Sequence, residues 1–364
     1  GGHPSQLSNE VGEGNFLMVQ SADQGDIKAM YVIGEETAFS DANTHNVHSA
    51  FENLDFMVVQ DIFLSRTAEF ADVVLPACPS VEKDGTFVNT ERRIQRFYEV
   101  LPPLGDSRPD WRILTDLAAR MGHDWGYTHP SQIMQECASI SPMFAGVTYE
   151  RLEGWKSLSW PVAADGTDTP LLYTDGFHTE DGKANLFPME WKEPEEATDA
   201  EYDLSLDNGR ILEQFQGANQ TGRSQGIWDQ APHGFVEVSP ELAAERGIKE
   251  GTWVRITSRR GSIDFPALIT DRVAGKTLFM PIHFGKPGVN ALTGEHNDPV
   301  VQTPAYKETA VKLEVLDKRT EPPLPSTNYR FGRRTPNQGV AVEVKWMQED
   351  YRLPPAQQTN PRKM

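Results

Sequence analysis

The sequence predicts an α/β domain built on a parallel sheet, followed by a smaller β-barrel domain. The first half alternates continuous apolar runs with helical patterns, which is typical of a parallel sheet covered on both faces. The second half contains short strands in which apolar and polar residues alternate, joined by glycine-containing turns. The chain has 364 residues, and at about 150 residues per domain this length suggests two domains.

Three apolar runs in the first half are the predicted strands, over residues 27–33, 55–61 and 71–76. A helix is predicted over residues 43–54, and a partly helical stretch over residues 65–70. A further helix is predicted over residues 110–120, where Asp110 follows Pro109 as the N-cap.

Polar residues come directly after the first two predicted strands. In parallel sheets, ligands bind beyond the carboxyl ends of the strands. This rule places four side chains on one rim of the sheet: Glu35, Glu36, Gln60 and Asp61. Ordinary strand-end loops are the alternative interpretation.

The second half begins with a short predicted helix. Ser239 is its expected N-cap, Pro240 takes the first helical position, and Gly247 ends it. Alternating strands are predicted over residues 252–258, 261–270, 276–281 and 309–315. Short strands with one small helix indicate a compact β-barrel.

These patterns divide the chain into four parts, residues 1–150, 151–200, 201–317 and 318–364. The second part is predicted to be a connecting segment with weak periodicity, and its acidic stretch over residues 193–201 to be a solvated surface. The last part is predicted to be an extended arm that wraps a partner or the body of the protein, with an added strand over residues 340–346.

Composition argues against several classes of protein. Lys and Arg total 34 against 53 Asp and Glu, a net charge of −19 that disfavours a nucleic-acid partner. Cys78 and Cys137 cannot form a disulfide framework, a four-cysteine metal site or an iron–sulfur cluster by themselves. With no long apolar run and no signal-peptide pattern, we expect a cytoplasmic protein without a membrane span. The start at Gly1-Gly2 favours a processed, trimmed or partial polypeptide.

Common catalytic motifs are missing from the sequence. It has no Gly-Lys-Ser/Thr phosphate loop, no Gly-x-Ser-x-Gly elbow and no His-Glu-x-x-His motif. His45 and His48 lack a third ligand nearby, so a solvated helix face is favoured over a metal site. Cys78 and Cys137 are interpreted as structural thiols. No catalytic and no metal-binding residue is therefore predicted in this chain.

Two segments, residues 82–95 and 209–224, are rich in hydrogen-bonding groups. Neutral amides, hydroxyls and backbone N–H groups suit a ligand with many polar atoms, because each buried polar atom needs a partner. Glycines let the backbone approach such a ligand closely. A glycine-rich surface loop is the alternative for the second segment.

Several ordered segments resemble one known family. They are Gly34-Glu35-Glu36, Val58-Val59-Gln60-Asp61-Ile62-Phe63, Ala71-Asp72-Val73-Val74-Leu75-Pro76, and residues 82–93, 253–261 and 304–307. Together they resemble the C-terminal half of the catalytic subunit of a molybdenum- or tungsten-dependent formate dehydrogenase, within the molybdopterin oxidoreductase family. The resemblance covers residues 25–316.

The resemblance implies a Rossmann-like α/β domain that holds the guanosine end of one of two pterin cofactors. It also implies that residues 201–317 form a double-psi six-stranded barrel over both cofactors. The implied cofactor contacts in the first domain are Glu36, Ser40, Gln60, Asp61 and Asp110. Those in the barrel domain are Arg210, Gln214, Gln216, Thr221, Gly222, His283, Asn290, Tyr306 and Lys307.

Three of these residues call for comment. Arg210 and Lys307 offer positive charge to the cofactor's pyrophosphate. Gln214 stands where many relatives have His.

The implied cofactor is bis-molybdopterin guanine dinucleotide with molybdenum or tungsten. The family's iron–sulfur cysteines, its Cys or selenocysteine metal ligand and its catalytic His belong to an N-terminal half whose motifs this sequence lacks. The implied partners are therefore that N-terminal half and an electron-transfer subunit, either iron–sulfur or diaphorase-like with FMN and NAD. We expect a split or cleaved catalytic subunit, and a longer chain numbered from a truncation point is the alternative.

The implied reaction is oxidation of formate to carbon dioxide with transfer of two electrons. Two alternatives remain open from the sequence. The chain could belong to a nitrate reductase or another oxyanion reductase, because the cofactor cradle is shared within the family. It could also be a noncatalytic protein that carries the pterin cofactor.

Overall fold

The computed structural model describes residues 10–320. The first sheet consists of β1 (Ala29–Ile33), β2 (Phe56–Asp61) and β3 (Val73–Pro76), in the order β1-β2-β3 with parallel pairing throughout. The three predicted strands are confirmed. The predicted strand over residues 340–346, and the predicted arm beyond residue 320, lie outside the described residues.

Helices cover one face of this sheet. They are α1 (Asn15–Asp23), α2 (Thr37–Ser40) and α3 (Thr44–Glu52). Val47 and Phe51 of α3 pack with Met57 and Val59 of β2 in a common core. The other face was also predicted to be covered, but within residues 10–320 its cover is partial, and Val58 is only half-buried. The stretch predicted to be partly helical forms one 3₁₀ turn, Thr67–Phe70.

A second, antiparallel sheet was not predicted. It contains β4 (Gly85–Val88), β5 (Arg93–Phe97) and β6 (Ser157–Ser159). Beside it lie α4 (Asp110–Arg120), α5 (Pro130–Ile140) and α6 (Tyr149–Leu152). Its core is small, with Ile94, Val147, Leu152 and Val162. The sequence patterns did not predict these strands because many of their side chains are polar, and a half-buried strand needs few apolar residues.

The second domain is a closed barrel. Its strands are β7 (Leu204–Gly209), β8 (Val236–Val238), β9 (Thr252–Thr257), β10 (Ser262–Ile269), β11 (Thr277–Pro281) and β12 (Thr309–Thr320). They close in the order β10-β8-β11-β7-β12-β9, with β7 parallel to β11 and β8 parallel to β10. Two short helices, α7 (Gln225–Trp228) and α8 (Pro240–Arg246), accompany the barrel. The predicted fold class, a parallel α/β domain followed by a six-stranded barrel, is confirmed.

Strand β7 was missed by the sequence patterns. It ends in Asp207-Asn208-Gly209, a combination typical of turns. Its residues Leu204 and Leu206 are nevertheless buried in the barrel core, and Ser205–Gly209 of the strand pair with β11. Tertiary pairing therefore overrides the local preference of this segment.

The two helix starts predicted from the sequence differ in outcome. Ser239 is the N-cap of α8, and its Oγ accepts a hydrogen bond from the N–H of Leu242 at 3.2 Å. Gly247 ends that helix in the left-handed region with φ of 68°. The prediction for Asp110 was wrong, because Pro109 is the N-cap and Asp110 is the first residue of α4.

Both cysteines were predicted to be structural thiols, and the structure confirms burial for Cys78 only. Cys78 is buried, whereas Cys137 is only half-buried on α5 rather than in a core. In residues 10–320, no helix combines the length and the apolar character needed to cross a bilayer.

Removing the N-cap of α8 tests how much the Ser239 hydrogen bond contributes to the stability of the barrel domain. We expect Ser239→Ala to lower the free energy of unfolding by about 0.5–2 kcal/mol, because the N–H of Leu242 loses its acceptor. Urea denaturation followed by circular dichroism measures the change. The matched control is Ser224→Ala, since Ser224 occupies the N-cap of α7 without a side-chain cap bond and should change stability little. Equal losses in both variants would contradict this account of the α8 cap.

Candidate functional site

A chain of hydrogen bonds lies at the carboxyl end of β2. Gln60 is fully buried there, and its Nε2 donates to Asp110 Oδ1 at 2.8 Å. The Tyr31 hydroxyl donates to the Gln60 Oε1, and Lys83 forms an ion pair with Asp110. Burial and the nearby Asp110 raise the pKa of Tyr31, so its hydroxyl stays protonated. The structure therefore brings together Gln60 and Asp110, two of the predicted contacts.

A cluster of charged groups lies next to this chain. Glu36 is buried, its Oε1 accepts from the Thr67 N–H at 3.1 Å, and its Oε2 accepts from the Asn219 amide. Burial raises the pKa of Glu36, while Asn219 and the guanidinium of Arg66 act in the opposite direction. Asn219 belongs to the barrel domain, so this contact joins the two domains.

Asp61 and Arg223 complete the charged cluster. Burial raises the pKa of Asp61, although the backbone N–H groups of Phe63 and Ile62 stabilise its charged form. The Arg223 guanidinium lies 4.3 Å from the centre of the Phe63 ring and donates to the Asn219 carbonyl at 2.9 Å. Burial lowers the pKa of Arg223, and the charges of Glu36 and Asp61 oppose that shift. Three of the four polar residues predicted for the rim thus lie in one hydrogen-bonded or charge-coupled region.

We call the boundary between the sheet and the barrel the seam, and Asn290 lies at its centre. The Asn290 Nδ2 donates to the Ser40 carbonyl oxygen at 2.6 Å, and its Oδ1 accepts from Asn208 Nδ2 at 2.9 Å. A few residues further on, Thr293 Oγ1 accepts from the Asn43 N–H at 3.1 Å. Both ends of the buried Asn290 amide are therefore used to hold β7 against α2.

Tyr306 lies at another part of the seam. Burial and the charge of Asp41 raise its pKa to about 12, while a hydrogen bond from the backbone of Ala42 opposes the shift. Burial also raises the pKa of Asp41 to about 6. Tyr306 and Ser40, both predicted contacts, are thus brought to the same short segment after β1.

His283 is fully buried and bonded through both ring nitrogens. Its Nε2 accepts from the Ile211 N–H at 3.0 Å, and its Nδ1 faces the carbonyl oxygen of Gln216. This pattern assigns the neutral tautomer with the proton on Nδ1. Burial lowers the pKa of His283, consistent with an uncharged ring. His283 therefore holds both ends of the segment that follows β7.

The same segment is braced by Gln214 and Thr221. The buried Gln214 donates from Nε2 to the Ala231 carbonyl at 2.9 Å and accepts at Oε1 from the Thr221 hydroxyl at 2.6 Å. Thr221 Oγ1 also accepts from the Phe215 N–H at 3.1 Å. At Gly222, a Cβ would lie 3.4 Å from the Trp228 ring, which is an ordinary van der Waals contact, so packing alone does not require glycine there.

The predicted cations lie on the barrel side. The exposed Arg210 follows β7 and lines a cavity of about 500 Å³ together with Asp207, Glu237 and Phe279. Its Nη2 lies 3.4 Å from Gln216 Oε1. Lys307 bonds to the carbonyl oxygen of Asn208, with its Nζ 3.6 Å from Asp207 Oδ1, and 64% of its side chain is exposed.

Eight of the predicted residues fall into two groups. Gln60, Gln214, His283 and Asn290 are buried, and their polar atoms bond within the chain, so they shape the loops of the seam. Others keep accessible polar atoms that a ligand could contact: Asp110, Arg210, Gln216 and Lys307. Within the described residues, no group of three His, Cys, Asp or Glu side chains is arranged to hold a metal ion.

Sequence reasoning missed Arg66, Lys83 and Asn219 as site residues. Lys83 and Asn219 lie in the two polar segments identified from composition, so their segments carried a signal although their individual roles did not. Arg66 has no such signal in the sequence. Its guanidinium lies 3.6 Å from the centre of the Phe39 ring, a contact that only the fold brings about.

Comparison with known families gives matches in both domains. The chain matches the family model described as "Molybdopterin oxidoreductase" over residues 5–120. It matches the model described as "Molydopterin dinucleotide binding domain" over residues 204–310. The first match includes the sheet and its polar rim, and the second includes most of the barrel.

Similar proteins occur in Bacillus subtilis and Staphylococcus aureus. The chain is 54% identical over 349 residues to "Probable oxidoreductase YjgC" of Bacillus subtilis, covering 96% of this chain and 35% of that protein. It is 49% identical over 348 residues to "Putative formate dehydrogenase YrhE" of the same organism, covering 95% and 35%. It is 48% identical over 356 residues to "Putative formate dehydrogenase SAB2186c" of Staphylococcus aureus, covering 96% and 36%. The chain spans about a third of the length of these relatives.

A solved structure shares the fold. Acetylene hydratase from Pelobacter acetylenicus matches with a TM-score of 0.69 at 18% identity, covering 82% of this chain and 46% of that chain. With a match in each domain, the chain contains a molybdopterin oxidoreductase domain followed by a molybdopterin dinucleotide binding domain.

The residues at the seam fit such a cofactor. Asp110 already accepts hydrogen bonds from Gln60 and Lys83, yet an ionised carboxylate has about four acceptor positions, and 35% of this side chain is exposed. It can therefore still take donors from a guanine edge. Arg210 and Lys307 add positive charge suited to a pyrophosphate.

The hydrogen bonds at both ring nitrogens of His283 predict how the free energy of unfolding depends on pH. Because its pKa is lower in the folded state, the unfolded chain binds more protons below about pH 6.5, and the free energy of unfolding falls as the pH decreases. We expect His283→Gln to reduce this slope by up to about 1.4 kcal/mol per pH unit. Urea denaturation at pH 7.5, 6.5 and 5.5 measures it. The exposed His123 provides the control variant His123→Gln, and an unchanged slope in His283→Gln would contradict the assignment of a neutral ring.

Proposed function

We propose that this chain is the cofactor-binding C-terminal part of a formate dehydrogenase catalytic subunit, which oxidises formate to carbon dioxide with transfer of two electrons. The observation that carries the proposal is identity of 48–49% over nearly the whole chain to relatives whose printed names include formate dehydrogenase. The seam adds support, because it combines a carboxylate suited to a guanine edge with cations suited to a pyrophosphate.

Individual residues have distinct roles in this proposal. Asp110, oriented by Gln60 and Lys83, accepts the N–H donors of the guanine, while Glu36, Ser40 and Asp61 shape the rest of the nucleotide site. Arg210 and Lys307 neutralise the pyrophosphate.

The barrel loops hold the pterin side of the proposed site. Gln216, Thr221, Gly222 and Tyr306 form the loop surfaces there. Gln214, His283 and Asn290 hold those loops in place, because their buried polar atoms are satisfied within the chain.

The bound bis-molybdopterin guanine dinucleotide, with molybdenum or tungsten, supplies the two-electron chemistry. This chain binds and orients it and excludes water from the seam. The metal ligand, the catalytic His and the iron–sulfur cluster are proposed to belong to an N-terminal half of the catalytic subunit. An iron–sulfur or diaphorase-like subunit with FMN and NAD is the proposed electron acceptor, and the cytoplasm is the proposed location.

A substrate comparison tests the proposal. The assembled enzyme that contains this chain is purified, its molybdenum and tungsten contents are measured, and its activity is assayed with formate and, separately, with nitrate and reduced dye. We expect formate oxidation and no nitrate reduction. Nitrate reduction without formate oxidation would instead assign an oxyanion reductase. Cofactor bound to this chain alone and released to another enzyme would instead assign a carrier protein.

Neutralising Asp110 tests the guanine contact. We expect Asp110→Asn to weaken retention of the guanine nucleotide about 10- to 100-fold, since a hydrogen bond to a charged group contributes about 1.5–3 kcal/mol. The washed enzyme is denatured, its pyrophosphate bonds are hydrolysed with acid, and the GMP that forms is quantified by chromatography as the measure of retention. Asp116→Asn is the matched control, because Asp116 lies on the same helix and pairs with Arg108 instead. Equal nucleotide content in both variants would refute the role given to Asp110.

A further inference from the structure

Residues 184–193 form a segment, here called the strap, that projects four large apolar side chains into solvent. The exposed fractions are 90% for Leu186, 79% for Phe187, 92% for Met189 and 80% for Trp191. All ten strap residues are exposed. Such a concentration of exposed apolar surface in a short segment is typical of an interaction site.

The strap is held at both ends but not along its length. On one side, the Phe177 N–H donates to the Gly182 carbonyl at 2.9 Å, and Thr179 Oγ1 donates to the Lys183 carbonyl at 2.7 Å. On the other side, the Glu196 carboxylate is bound by Arg259 at 2.9 Å and also by Arg260. Glu196 is therefore not part of a solvated surface, as the acidic stretch had been interpreted, because two guanidinium groups bind it.

Between these anchors the backbone lacks partners. Within the described part of the chain, no backbone–backbone hydrogen bond joins residues 184–193 to any other residue. The strap also has no regular secondary structure there. Its N–H and C=O groups are therefore available to pair with another strand.

The order of residues in the strap suits one particular mode of pairing. In an extended chain, side chains alternate between faces, so Phe187, Met189 and Trp191 share one face. Pro188 lacks an N–H, so the edge of the strap towards which its nitrogen points cannot form a complete set of hydrogen bonds with a further strand. The strap can thus add to a sheet through one edge while its aromatic face packs into an apolar groove.

We propose that the strap docks as an edge strand on the part of the enzyme that lies outside this chain, across an apolar groove beside an open strand edge. The relatives indicate the occupant, because this chain accounts for only 35–36% of their length and a large remainder is present in the same proteins. This inference rests on the proposed function, in which that remainder forms the N-terminal half of the catalytic subunit.

Site-specific photocrosslinking in the assembled enzyme tests the docking. p-Benzoylphenylalanine replaces Met189 on the aromatic face or, as the matched control, Glu190 on the opposite face. We expect the Met189 position to crosslink to the remainder of the catalytic subunit at least 10-fold more than the Glu190 position. Mass spectrometry identifies the attached peptide. Attachment to a second copy of this chain or to residues 321–364, or equal yields at both positions, would overturn the proposal.

A second measurement separates docking from catalysis. We expect F187S/M189S/W191S to reduce the share of this chain that co-purifies with the remainder at least 10-fold, whereas E190S/K192S leaves it unchanged. These side chains are exposed, so the isolated variants should keep the circular dichroism spectrum of the wild type. If the wild-type enzyme oxidises formate and the F187S/M189S/W191S variant still co-purifies fully with the remainder, the docking inference is refuted and the proposed function stands. If F187S/M189S/W191S alone fails to co-purify, but the wild-type enzyme does not oxidise formate, the docking inference stands and the proposed function fails.

Discussion

The seam depends on the side-chain amide of Asn290, a barrel residue that bonds across to the sheet domain. Its Nδ2 donates to the Ser40 carbonyl, and its Oδ1 is held within the barrel by Asn208, so moving the two domains apart would leave a buried polar group unpaired. Leaving such a group without a partner costs about 1–3 kcal/mol. The Glu36–Asn219 contact adds a second link nearby. The polar rim of the parallel sheet and the barrel loops are therefore held as one surface.

Rigid loops explain why so many of the predicted contacts turn out to be internal. The side chains of His283 and Gln214 are satisfied inside the chain, where they fix the segment that follows β7. A site for a large, polar ligand needs such support, because loosely held donors would lose binding energy to ordering. The accessible Arg210 and Gln216 lie on this supported segment.

Local patterns were sufficient for the three strands of the parallel sheet and for α8, because apolar runs and the Ser-Pro start with a terminal glycine act through neighbouring residues. They failed for β7, whose last residues prefer a turn and are held extended by pairing with β11. They also failed for Asp110, which takes part in a hydrogen-bond chain with Gln60 rather than a helix cap. Long-range contacts are not encoded in short windows of sequence.

The site was predictable to a different degree. The rule for strand ends predicted from the residues alone that Glu36, Gln60 and Asp61 lie on one rim, and the structure places them close together. The barrel positions came from the family resemblance, and all of them stay predictions as cofactor contacts. Neither the rule nor the resemblance could identify Arg66, whose place depends on how the 3₁₀ turn packs on Phe39. Likewise, the division between supporting and accessible residues depends on burial, which only the folded chain reveals.

The order of strands in the barrel has a consequence for biosynthesis. Strand β7 is the first of the six to emerge from the ribosome, yet its edge is closed by β12, the last. Until β12 has been synthesised, this edge of β7 is unpaired and the barrel interior is exposed to solvent. The cylinder can therefore close only after β12 has been synthesised, so the barrel is completed after translation of all six strands.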